Sequence, residues 1–102
     1  MYTLVNQERA KAGLPKVFIY SPLEASAAKW NNQMRAENKL YHRSPLLPGV
    51  FGECVAQGYS SASSVMTGWR NSPGHKAIIL GNYSRVGVAF NSSGNWWTLQ
   101  FA

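Results

Sequence analysis

Residues 71–90 read NSPGHKAIILGNYSRVGVAF, and inside this stretch the hydrophobic pattern changes its period. Ser72 followed by Pro73 is a helix start, because proline's fixed φ suits the first helical position and its missing N–H has no partner there anyway. Ile78, Ile79 and Leu80 follow as apolar residues, and Gly81 stands where a helix terminates. From Arg85 the apolar residues recur at every second position, Val86, Val88 and Phe90, which is the period of a strand. His75 falls in the first turn of the predicted helix, where the positive end of the dipole favours a neutral imidazole, the form that binds a metal or accepts a proton. Packing and chemistry are both open to it.

Downstream, WWTLQF sets Trp97, Leu99 and Phe101 against Trp96, Thr98 and Gln100, and NSSGN is a link of hairpin length. The C-terminal part therefore reads as an antiparallel hairpin with one strongly apolar face. Upstream, SSVMTGW is a short helix with Val65 and Trp69 on one side, and FGECVAQG, bounded by glycines, is a strand. Residues 40–51, LYHRSPLLPGVF, hold two prolines and a glycine and read as an irregular segment that packs down, with His42 in it. SPLE predicts a helix from residue 22, with Ser21 as cap and Glu24 as the acid of a capping box. Leu23, Ala27, Trp30 and Met34 form its core face, and Glu37 emerges into water near its end. Residues 3–12 read as a first helix ended by Gly13, and KVFIY as an edge strand or extended link.

The chain has 102 residues, which suits one domain over residues 1–102. With 45% hydrophobic residues and four tryptophans it can bury enough apolar surface to fold unaided. No run is long and apolar enough to span a membrane, and no charged-then-apolar leader opens the sequence, so any secretion signal is expected to have been removed. The lone Cys54 excludes an internal disulfide framework. Ten basic residues against four glutamates give a formal charge of +6, a bias toward anionic partners. The basic residues are scattered singly, from Arg9 to Arg85, rather than clustered on one element, which argues against specific nucleic-acid binding.

Paired-cysteine metal signatures, histidine pairs four apart, phosphate loops and nucleophile elbows are all missing. What remains is His42 in a loop, Glu53 in a strand and His75 at a helix start; Glu53 is the one acid outside the predicted helices. Taken without further context, two lone histidines and a glutamate are more often satisfied surface or core groups than a site, and spacing alone does not show convergence.

The ordered blocks LVNQERAKAGLPKV, SPLEASAAKWNNQM, YHRS, GECVAQG, GWRNSPGHKAIIL, YSRVGVAF and WWTLQFA resemble the CAP superfamily in its short bacterial form. This superfamily comprises cysteine-rich secretory proteins, antigen 5 allergens and plant pathogenesis-related proteins. The resemblance spans nearly the whole chain. It implies an α+β fold, an α-β-α sandwich with a central antiparallel sheet and helices on both sides, and an extracellular or cell-surface location. It also implies a cleft in which His42, Glu53 and His75 face one another, with capping left to Ser72. Two positions depart from the family pattern. No acid follows Trp69 to match a second cleft glutamate, and Cys54 stands where asparagine is common.

Two functions are weighed on this basis. A secreted binding module, monomeric, would engage an anionic or amphiphilic envelope ligand, lipid or cell wall, with exposed aromatics such as Tyr41, Tyr59 and Trp96 suited to it. A metal-assisted hydrolase, acting on peptide or cell-wall substrates, would use His42 and His75 as zinc ligands and Glu53 as the catalytic proton acceptor. Two protein ligands imply low zinc affinity, because catalytic zinc generally has three. Cys54 as a histidine-activated nucleophile is a third reading, set against an inert buried thiol.

Overall fold

The computed structural model describes residues 1–102. The elements run α1 (Tyr2–Lys11), β1 (Phe18–Ile19), α2 (Ser21–Glu37), β2 (Gly52–Gln57), α3 (Ala62–Arg70), α4 (Pro73–Ile79), β3 (Arg85–Asn91) and β4 (Trp96–Phe101). One four-stranded sheet has the order β1-β3-β4-β2. The expected hairpin is present, with Val88 opposite Leu99. β2 lies antiparallel on the other side of β4, Cys54 opposite Leu99, and β1 adds a two-residue parallel edge beside β3. The sandwich is formed by α2 across β3 and β4 on one face, and by α1, α3 and α4 on the other.

The larger core lies under α1, α3 and α4, where Val5, Val65, Met66, Trp69 and Ile79 meet Cys54, Leu99 and Phe101. The smaller one lies under α2 and joins Trp30, Met34, Val55 and Trp96. β4 is therefore covered on both faces, and all six of its residues are buried. This corrects the expectation of a single apolar face. Trp96, expected to be exposed, is only 4% exposed, and Thr98 and Gln100 lie beneath α2 rather than in water. Thr98 is tolerated because its hydroxyl is bonded, and Gln100 is bonded through its amide nitrogen, while its Oε1 has no partner. Asn31 Nδ2 donates to Trp96 O at 3.0 Å, and Thr98 Oγ1 donates to Asn31 Oδ1 at 2.9 Å. Gly87 lets α2 approach the sheet this closely, since a Cβ there would collide with the main chain of Leu23 and Glu24.

The caps differ from the sequence reading in chemistry more than in place. α2 begins at Ser21, one residue early, with Tyr20 as N-cap and no side-chain capping bond. Tyr20 O accepts from the Leu23 and Glu24 amides, so the predicted Ser21–Glu24 box is not formed. The helix ends instead at Asn38, whose φ of 51° is left-handed. A reciprocal capping box does exist, at Ser61 and Ser64 before α3. α4 ends at Leu80 without a left-handed glycine at Gly81. Its terminal carbonyls are held by Arg9, a buried cation with no carboxylate partner. Arg9 Nη1 donates to Ile79 O at 2.9 Å and to Gly81 O at 2.7 Å, and Nε donates to Pro15 O at 3.0 Å. A cation suits the negative end of a helix, although burial pulls the guanidinium below its ordinary value.

Candidate functional site: a paired-histidine cleft

Three separate elements deliver the three residues singled out from the sequence. The irregular segment after α2 carries His42, β2 carries Glu53, and the first turn of α4 carries His75. The imidazole centroids lie 6.5 Å apart, with ring planes inclined at 34°. The Trp69 ring backs His75 at 6.4 Å.

Glu53 is the fixed point. Its side chain is almost wholly buried, and both of its oxygens are engaged. Oε1 accepts from the Arg43 amide at 2.9 Å and faces His42 Nδ1 at 3.1 Å; Oε2 accepts from Gln100 Nε2 at 2.9 Å. A carboxylate only accepts, so a neutral His42 carries its proton on Nδ1 and keeps the lone pair on Nε2. His75 is held differently. Its Nδ1 lies 2.8 Å from Ser72 Oγ, and a hydroxyl accommodates either tautomer. Ser72 occupies the N-cap position, but its side chain makes no capping bond to the helix backbone; it holds the histidine. Burial, and then the neighbouring His42, push the His75 pKa below the usual imidazole value. The neutral ring expected from the sequence is thus favoured, chiefly by burial.

Sequence reasoning missed Gln100 and the second role of Ser72. Gln100 had a signal, a lone amide in a largely apolar terminal strand, but period-two reading placed it on the face opposite the apolar one. Cys54 is fully buried on the opposite face of β2, and burial pushes its pKa up to about 12, the state of an inert thiol.

Two hollows flank the pair. Beside His42 lies a cavity of about 580 Å³ bounded by Lys29, Trp30, Tyr41, Arg43 and Leu47, with no carboxylate in its wall. The Arg43 guanidinium sits 5.6 Å over Trp30. On the His75 side, a groove of about 320 Å³ runs between Leu40, Val55, Gln57, Tyr59 and Trp69.

The model of the cysteine-rich secretory protein family, CAP, matches residues 2–101. The chain belongs to the CAP family. A curated relative, the Bacillus subtilis protein YkwD, is 34% identical over 112 aligned residues, covering 96% of this chain and 44% of its own. This CAP chain therefore spans less than half the length of that relative. Among solved structures, an extracellular SCP-domain protein of Bacillus anthracis superposes with a TM-score of 0.87 at 24% identity, over 98% of this chain and 38% of its own. An outer surface protein of Borrelia burgdorferi gives 0.85 at 19% identity, over 98% and 86%. Both likenesses establish the CAP fold.

As a metal centre the CAP cleft offers two imidazoles and nothing else. No group of three histidine, cysteine, aspartate or glutamate side chains is placed to hold an ion. Glu53 is committed to three donors and Cys54 stays protonated, so the donor set falls short of the three protein ligands of a catalytic zinc site.

Proposed function

We propose that this CAP domain is a binding module of the cell envelope whose cavity beside His42 takes an anionic, amphiphilic component. The observation that carries this reading is the wall of that cavity. Lys29 and Arg43 supply positive charge, Trp30, Tyr41 and Leu47 supply apolar surface, and no carboxylate lines the wall, the nearby Glu37 being engaged by Tyr41 and Gln33. A guanidinium stacked on an indole is oriented before its ligand arrives, and Arg is the side chain whose fork matches phosphate or carboxylate. The formal charge of +6 draws such ligands from a distance. The extracellular description of the Bacillus anthracis neighbour supports the location.

Glu53 is better matched to orienting His42 than to accepting a proton, because both of its oxygens already accept hydrogen bonds. Two imidazoles alone imply weak zinc binding, measurable by calorimetry on the wild type and on His42→Ala and His75→Ala.

The test is co-sedimentation with vesicles of phosphatidylglycerol or of phosphatidylcholine, for the wild type and for K29E/R43E. The wild type should bind the anionic vesicles selectively, and the double charge reversal should abolish that binding. Equal binding by both proteins would overturn the reading.

A further inference from the structure

β2 is an edge strand, yet five of its six residues are buried, which is the reverse of how an edge is normally exposed. The ladder shows which of its main-chain groups are free. The Gly58 amide donates to Asn95 O at 3.0 Å, so the hydrogen-bonded partners on β2 are Gly52, Cys54 and Ala56, and the amides of Glu53, Val55 and Gln57 point away from β4. On that outer side Val55 O accepts from the Trp69 indole at 3.3 Å, which fixes the direction of the Val55 main chain. The Val55 and Gln57 amides find no acceptor within the chain. They face the groove on the His75 side, whose walls are Leu40, 50% exposed, and Tyr59, 37% exposed.

We infer that this groove captures an extended, uncharged polypeptide segment, which adds to the sheet as a fifth strand beside β2. A buried strand edge with unused amides is complementary to another extended main chain and to little else. Apolar walls on either side suit alternate side chains pointing up and down. Lysine, arginine, aspartate and glutamate side chains that would pair with a charged segment are absent from the lining, whose titratable side chains are His75, held toward its neutral form, and Tyr59. Val55 O retains a lone pair beyond the one given to Trp69, so it can accept from the guest as well. The inference does not rest on the anionic-ligand reading, which uses the other hollow.

The probe is acetyl-Thr-Val-Thr-Val-Thr-amide, titrated into the ¹⁵N-labelled chain and compared with the same peptide carrying N-methyl valines. The Val55 and Gln57 amides and the Trp69 indole N–H should shift together, and the N-methyl peptide should bind about tenfold or more weakly. Leu40→Asp, on an exposed loop, should weaken binding about tenfold while leaving the rest of the spectrum in place. Three results would overturn the proposal: unshifted Val55 and Gln57 amides at millimolar peptide, equal binding of the methylated peptide, or shifts confined to the Lys29–Arg43 cavity. Because K29E/R43E leaves this groove intact, loss of vesicle binding with retained peptide binding separates the two readings.

Discussion

Replacing Glu53 by glutamine tests the cleft at its fixed point. In the wild type the carboxylate accepts from three donors, the Arg43 amide, His42 Nδ1 and Gln100 Nε2. An amide has one oxygen and one NH₂, so it cannot accept at both positions as the carboxylate does. If the new NH₂ faces Gln100, the Gln100 carboxamide must turn over to offer Oε1, unpartnered in the wild type, and its Nε2 then loses its acceptor; if it faces Arg43, a main-chain N–H loses its acceptor. Leaving one buried donor unsatisfied costs about 1–3 kcal/mol. For a domain of this size each kcal/mol lowers Tm by about 4–8 °C, so Glu53→Gln should melt at least several degrees lower. Gln100→Glu should be destabilising in its own right, since it sets two carboxylates in contact. The swap Glu53→Gln/Gln100→Glu restores one donor facing one acceptor, so it should be more stable than the sum of the single changes, with a coupling of at least about 1 kcal/mol. Urea unfolding of all four proteins, with the Arg43 amide shift as a local reporter, makes the measurement. A Glu53→Gln variant within about 0.5 kcal/mol of wild type, with the Arg43 amide unmoved, would mean that these three donors do not depend on the carboxylate.

His75 has its pKa lowered in the folded state, so the folded protein takes up its proton less readily than the unfolded chain; stability should fall as pH drops below about 6.5 and level off once the folded pKa is passed. Thermal melts from neutral to mildly acidic pH should show that loss, and His75→Asn should flatten it. Gly87→Ala places a Cβ against the Leu23 main chain, and backbone cannot rotate aside as a side chain can. It should destabilise by about 1–3 kcal/mol or more, seen as a lower urea midpoint, whereas Gly74→Ala, in open space, should lack that clash. Cys54, with its thiol pushed to about 12 and no exposure, should resist a thiol reagent in the folded protein and react on unfolding; prompt labelling of native protein would overturn its assignment as inert.

The helices and strands were legible wherever a local period or a punctuating residue marked them. Leu23, Ala27, Trp30 and Met34 recur at helical spacing, and all four are buried. Val86 and Val88 alternate, and they lie in β3. Pro73 announced α4, and Gly13, at φ +74°, closed α1. Serine caps were less legible, because Ser21, Ser61 and Ser72 look alike in sequence. Only Ser61 caps through its side chain; Tyr20 O takes that part at α2, and Ser72 turns to His75.

Which chemistry is on hand can be read along the chain: two imidazoles, one acid outside the helices, one thiol and an excess of positive charge. Tertiary structure alone decided what each group does. Gln100 looks like a solvent-facing residue until β4 is placed at the centre of the sheet with α2 above it; burial then obliges its amide to find Glu53. Glu53 in turn changes from a free carboxylate to a support for His42. The outward amides of β2 depend on which strand lies beside it and which does not. Pattern is local and follows from the repeat of the backbone, whereas partnership depends on contacts between residues far apart along the chain, set by how the layers stack.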